Sequence, residues 1–174
     1  MIKPRQPVPS LQFNVLDGGQ WTLADQRPEH FTMVVVYRGL HCPVCRRYLT
    51  ELNGMIGEFE KRGVITVITS SDSEERARAA QTQWGLDKLT VGYGLSVEKA
   101  REWGLFISTG RGLTSAGVEE PALFAEPGLF LVKPDRTLFW ASISTMPFGR
   151  PHFTEIAQAI DFVVSKDYPA RGEA

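Results

Sequence analysis

The chain has 174 residues, 43% of them hydrophobic, and its 19 Lys and Arg against 20 Asp and Glu leave a net charge of −1. That is enough to bury one substantial core and short for two, so we expect a single domain over 1–174, with its core at about 8–164 and a tail at 165–174. The charge balance argues against a nucleic-acid or anionic-membrane surface, which needs a clustered basic excess.

Residues 1–10, MIKPRQPVPS, contain no apolar run, so neither a signal peptide nor a membrane span is read there and a cytoplasmic protein is expected. Leu11 to Leu16, then Asp17-Gly18-Gly19, then Gln20 to Leu23 reads as a β-hairpin with a glycine turn. Thr32 to Tyr37 is apolar and β-branched without alternation, the pattern of a strand buried on both faces. Gly39 allows a turn. From Val44 the apolar residues Tyr48, Leu49, Leu52, Met55, Ile56 and Phe59 recur at helical spacing, with Gly63 as a stop.

Val64 to Thr69 reads as a second buried strand. Ser71 with Glu74 reads as a capping box opening a helix that ends near Trp84, before Gly85. Leu89 to Tyr93 is a short strand, and Ser96 caps a short helix ending near Trp103. Ser108 to Glu120 is Gly/Ser/Thr-rich and without period, so it reads as a surface loop, and its glycines spell no phosphate-binding motif. Gly128 to Lys133 and Leu138 to Ile143 flank Pro134-Asp135-Arg136 as a hairpin. Pro151 opens a last helix with Phe153, Ile156, Ala157, Ile160 and Val164 on one face. Strands joined through helices imply a three-layer α/β/α sandwich with right-handed crossovers.

The chemistry concentrates at Cys42-Pro43-Val44-Cys45, between the first buried strand and its helix. Pro43 suits the first helical position, where no N–H is needed. Cys45 is in line with Leu49, Leu52 and Ile56, so it faces the core, and burial raises a thiol pKa. Cys42 stands at the helix cap, where unpaired N–H groups and the helix dipole favour thiolate, with Arg38, His41, Arg46 and Arg47 as nearby cationic or partly cationic groups. Cys42 is therefore expected to be the solvent-reachable, low-pKa nucleophile and Cys45 the resolving thiol that closes an intramolecular disulfide. Two close cysteines in a reducing compartment fit a cycling pair better than a staple. A zinc site would need two more ligands, and His30 and His152 have no ligand-like spacing to the pair; no metal or cofactor is implied.

The order of elements resembles the thioredoxin superfamily, and within it the peroxiredoxin-like (AhpC/TSA) branch. Phe13 to Leu23 resembles that branch's N-terminal hairpin, and YRGLHCPVCRRYLTEL its strand, cysteine and helix. VITVITSSDSEE, VEKAREWGL, PGLFLVKPDRTLFWASI and MPFGRPHFTEI resemble its later segments. The resemblance implies a thioredoxin-like sandwich with a central mixed sheet and an N-terminal hairpin. It also implies a thiol-dependent enzyme taking a disulfide or peroxide, re-reduced by glutathione or a thioredoxin-type donor. The sequence leaves the oligomeric state open, a homodimer included.

The resemblance breaks at three positions. Gly39 stands where the family has Thr or Ser, Arg38 where it has proline, and Pro127 where it has a late arginine. Proline at that last position is the thioredoxin pattern, where it is cis and faces the cysteines. Arg38 and Arg150 are the arginines able to substitute as donors. On this reading disulfide exchange is expected to outrun peroxide reduction, and a redox-responsive binding module without turnover is the alternative from another class.

Overall fold

The apolar run after His30 becomes the middle of the sheet. The computed structural model describes residues 2–174. Strand β3 (Phe31–Val36) is buried at every position because both its faces are covered. Met33 and Val35 point into one core with Leu49, Leu52 and Phe59, while Val34 and Val36 point into a second with Trp103 and Phe130. This two-sided burial explains why the run lacks alternation, each such side chain contributing about 1.5–3 kcal/mol.

The chain reaches β3 through a hairpin, β1 (Gln12–Val15) with β2 (Gln20–Thr22), and leaves it through helix α1 (Pro43–Glu60). It continues as β4 (Val64–Thr69), α2 (Glu74–Trp84), β5 (Thr90–Tyr93) and α3 (Val97–Glu102). Two short strands, β6 (Ile107–Thr109) and β7 (Leu123–Ala125), pair with each other; β8 (Gly128–Val132), β9 (Leu138–Ile143) and α4 (Phe153–Lys166) complete the chain. The main sheet has seven strands in the order β2-β1-β5-β4-β3-β8-β9. It is mixed: β3, β4 and β5 run parallel through α1 and α2, and β8 is antiparallel to β3. Helices α1, α2 and α4 send their apolar sides into the core holding Met33, and α3 with β7 covers the other face. A thioredoxin-like α/β fold results, with the start of α1 at the carboxyl end of the parallel strands, where such sheets place their sites.

Several expectations shift. Helix α2 is capped by Ser73, whose Oγ accepts the Arg76 N–H at 3.4 Å, not by Ser71, because Asp72 is drawn away toward the cysteine loop. The stretch read wholly as loop supplies β6, which β7 pairs from beyond it, and its backbone bends so that Gly110 N–H donates to Ala122 O. Val164 is 41% exposed, since the contact stripe of α4 steps by three from Ile160 to Val163. The C-terminal tail is held, with Arg5 Nε donating to Ala170 O at 3.0 Å.

Phe59 ties this core together, fully buried and meeting Phe153 edge-on at 6.2 Å. Phe59→Ala is expected to lower unfolding stability by about 3–5 kcal/mol, read as a lower urea midpoint at unchanged slope. A loss under about 1 kcal/mol would mean that α4 closes over the cavity.

Candidate functional site

Residues 37–42 fold as a tight loop between β3 and α1. Cys42 N–H donates to Gly39 O at 3.1 Å, closing a turn, and Leu40 N–H donates to Asp72 Oδ2 at 2.7 Å. Gly39 has φ +132°, and a Cβ there would come within 2.7 Å of that same carboxylate. Glycine is therefore required both for its backbone and for the close approach of Asp72.

Cys42 is the N-cap of α1, and its Sγ accepts the Cys45 N–H at 3.2 Å, as a Ser or Asp oxygen would at this position. Pro43 follows as an exposed first helical residue. Cys42 is lowered to about 6, first by hydrogen bonding with the Cys45 side chain, then by the Cys45 N–H and the Arg150 and Arg38 cations, against its burial. Burial pushes the Cys45 thiol well up, and hydrogen bonding to Cys42 adds to this. The expected inequality of the two sulfurs holds. The expected exposure does not: Cys42 is only 1% exposed and Cys45 0%, both packed in the core that holds Met33 and Leu49.

The cations divide their attention. Arg150 donates from Nη2 to Cys45 Sγ at 3.0 Å, and its guanidinium lies 5.0 Å from the Tyr48 ring centroid. Tyr48 OH donates to Pro151 O at 2.7 Å, fixing the backbone beside that arginine. Nε and Nη1 of Arg150 are buried without a partner. Arg38 turns away: it pairs with Glu126 at 3.2 Å and Glu120 at 3.4 Å, and it stacks over Phe124 at 4.8 Å. Arg46 and Arg47 are exposed on the outer side of α1.

His41 is fully buried, against the Phe124 edge at 4.6 Å. Its Nδ1 lies 3.4 Å from Arg76 Nη2, and since arginine only donates, Nδ1 is the acceptor and Nε2 carries the proton. Burial lowers its pKa to about 4, so at neutral pH it is uncharged and not the partly cationic group expected from the sequence. Pro127 departs from the cis pattern of thioredoxins: no cis peptide occurs among the described residues, and the buried proline lies between β7 and β8, its carbonyl accepting the Ser144 N–H at 3.0 Å. It shares a crevice with Tyr48 and Arg150.

Sequence reasoning missed Asp72, Arg76, Glu120 and Glu126. Asp72 falls within a capping signal and Glu120 within a loop, and no local pattern marks either as reaching across to residues 38–41.

A buried dithiol at a helix cap, on this sheet topology, coincides with a match to the AhpC/TSA family over residues 4–141. The chain belongs to the AhpC/TSA family. As a member of the family it is a thiol-dependent oxidoreductase of the thioredoxin superfamily. No curated protein matches the sequence. Among solved structures the fold is similar to a reduced 2-Cys peroxiredoxin of Plasmodium vivax, with a TM-score of 0.75 at 14% identity, covering 96% of this chain and 84% of that one. It is also similar to AhpC of Enterococcus faecalis, with a TM-score of 0.73 at 16% identity, over 98% and 99% of the two chains. Peroxidoxin BcpB of Mycobacterium tuberculosis gives a TM-score of 0.72 at 16% identity, over 94% and 99%. At such identities the likeness is one of fold, and the site of this AhpC/TSA protein has to be argued from its own residues.

Proposed function

We propose that Cys42 is the attacking thiolate, that its electrophile is small, a hydroperoxide first of all, and that Cys45 resolves the product. One observation carries this reading: beside a buried dithiol lies the Arg150 guanidinium with two buried N–H groups that have no protein partner. Buried donors left unpaired cost about 1–3 kcal/mol each unless a ligand uses them. A peroxide oxygen is such an acceptor. A sulfur as covered as Cys42 suits an oxidant of two heavy atoms better than a protein disulfide, and family membership supports the same reading.

The steps balance. Cys42 S⁻ attacks one peroxide oxygen, the O–O bond breaks, and the departing alkoxide or hydroxide takes a proton, leaving Cys42 as sulfenic acid. Cys45 SH then attacks that sulfur, the Cys42–Cys45 bond forms and water leaves. An external dithiol, or two molecules of a monothiol such as glutathione, reduces the disulfide and is itself oxidised to a disulfide. A pair that cycles in this way fits a reducing compartment such as the cytoplasm.

A second reading, exchange with a small disulfide, has its own support. Gly39 and Pro127 stand where the family has a hydroxyl and an arginine, and disulfide exchange needs neither. Stopped-flow oxidation of the reduced protein decides between them. Hydrogen peroxide should oxidise it far faster than it does a free thiol, and faster than glutathione disulfide at equal concentration. The reverse order would establish the exchange reading.

A further inference from the structure

Asp72 is 1% exposed, and its carboxylate is shared between two donors from different elements. Oδ2 accepts the Leu40 N–H at 2.7 Å from the cysteine loop, and Oδ1 accepts Arg76 Nε at 2.8 Å from the first turn of α2. Leu40 is the second residue of the turn that Gly39 O closes on Cys42 N–H, so the bond from Asp72 reaches the turn midway between its ends. Arg76 extends the clamp. Its Nη2 faces His41 Nδ1 at 3.4 Å, on the next residue of the turn, and donates to Glu119 O at 3.1 Å. Gly39 is shaped to this carboxylate, since any Cβ there would strike it. A buried charge is retained only where its partners are worth more than its hydration, and here both oxygens are satisfied by donors that converge on one four-residue turn.

We propose that Asp72 is a positioning residue for the attacking sulfur: with Arg76 it fixes the Gly39–Cys42 turn, and so holds Cys42 at the head of α1 where its sulfur meets the Cys45 N–H. The inference rests on the reading of Cys42 as the attacking thiol. Charged and titratable groups around the clamp are Tyr37 at the end of β3, His41 in the turn and Arg76 on α2, with Glu119 and Glu120 at the end of the neighbouring loop. Arg38, Arg150 and Cys45 are those that act on Cys42 itself. Asp72 is therefore expected to act on the sulfur through the backbone of the turn.

The test is the pH profile of iodoacetamide labelling of the reduced protein, with each cysteine followed by peptide mass spectrometry. In the unaltered protein Cys42 should label first, with a midpoint near 6. A midpoint like that of an ordinary thiol, or labelling of Cys45 first, would overturn the reading of Cys42 and this inference with it. With the Cys42 midpoint low, Asp72→Asn should raise it by about one unit, a roughly tenfold loss of labelling rate at low pH. The amide keeps one acceptor but turns an N–H₂ toward a donor. An unmoved midpoint in the folded variant overturns the positioning role alone.

Should Asp72→Asn fail to fold, Arg76 decides, because it sits on the outer side of the clamp with a side chain 26% exposed. Arg76→Ala should raise the midpoint and Arg76→Lys should recover part of the shift, with thermal midpoints of the two variants alike. Equal profiles in Arg76→Ala and the unaltered protein would overturn the proposal.

Discussion

Cys42→Ser is expected to bring peroxide consumption down to background, a loss on the order of 10⁴-fold or more, as when other enzymes lose their nucleophile. The hydroxyl keeps the cap hydrogen bond from Cys45 N–H but does not ionise near neutral pH, so structure survives while reactivity is lost. Cys45→Ser should behave differently: one equivalent of peroxide is consumed at close to the normal rate, and turnover then stops with Cys42 as a sulfenic acid, trapped by dimedone and weighed by mass spectrometry. Steady turnover in Cys45→Ser with a monothiol donor would show that resolution comes from outside the chain. The unaltered protein should also have a pH profile of defined sign. Because Cys42 is lowered to about 6, thiolate predominates above that value and is lost as pH falls through it. The oxidation rate should thus be flat above about pH 7 and fall about tenfold per unit well below 6.

Much of this site was legible in the sequence, because it is built from local signals. The buried strand, the turn glycine, proline at the first helical position and the helical spacing of Leu49, Leu52 and Ile56 each act over a few residues, and together they place Cys42 on the cap and Cys45 on the core face. Contacts made across the fold were not legible. Arg38 looks like a hydrogen-bond donor for the thiolate until β6 and β7 bring Glu120 and Glu126 against it, from 82 residues away in the case of Glu120, so that only its charge acts on Cys42. Burial of Cys42 depends on how the turn lies under its clamp, and Asp72, which anchors it, has a local sequence context that fits a helix cap equally well. Arg150 was legible as a candidate donor from its place before the last helix. That its bond goes to the sulfur of Cys45 and not that of Cys42 depends on Tyr48 and Pro151, 103 residues apart in sequence.

Arg150→Met is expected to lower the rate of peroxide oxidation by about 10²–10³-fold, the usual cost of removing one donor aimed at developing negative charge. As the O–O bond breaks, charge gathers on the departing oxygen, and in this protein Arg38 is already committed to two carboxylates. Arg150 keeps Nε and Nη1 free, and its guanidinium is held in place by the Tyr48 ring and by its bond to Cys45 Sγ. Methionine preserves the packing on Tyr48 and removes the donors. Lysine restores the charge without the planar fork, so Arg150→Lys should recover only part of the rate. A contribution through thiolate formation alone can be separated from this. Arg150 is a lesser cause of the lowering of Cys42 than the cap itself, so iodoacetamide labelling, which has no oxygen leaving group, should slow far less than peroxide oxidation. Equal slowing of both reactions would reduce Arg150 to a charge that favours the thiolate. A peroxide rate within a factor of about ten of the unaltered protein would assign the leaving oxygen to some other donor.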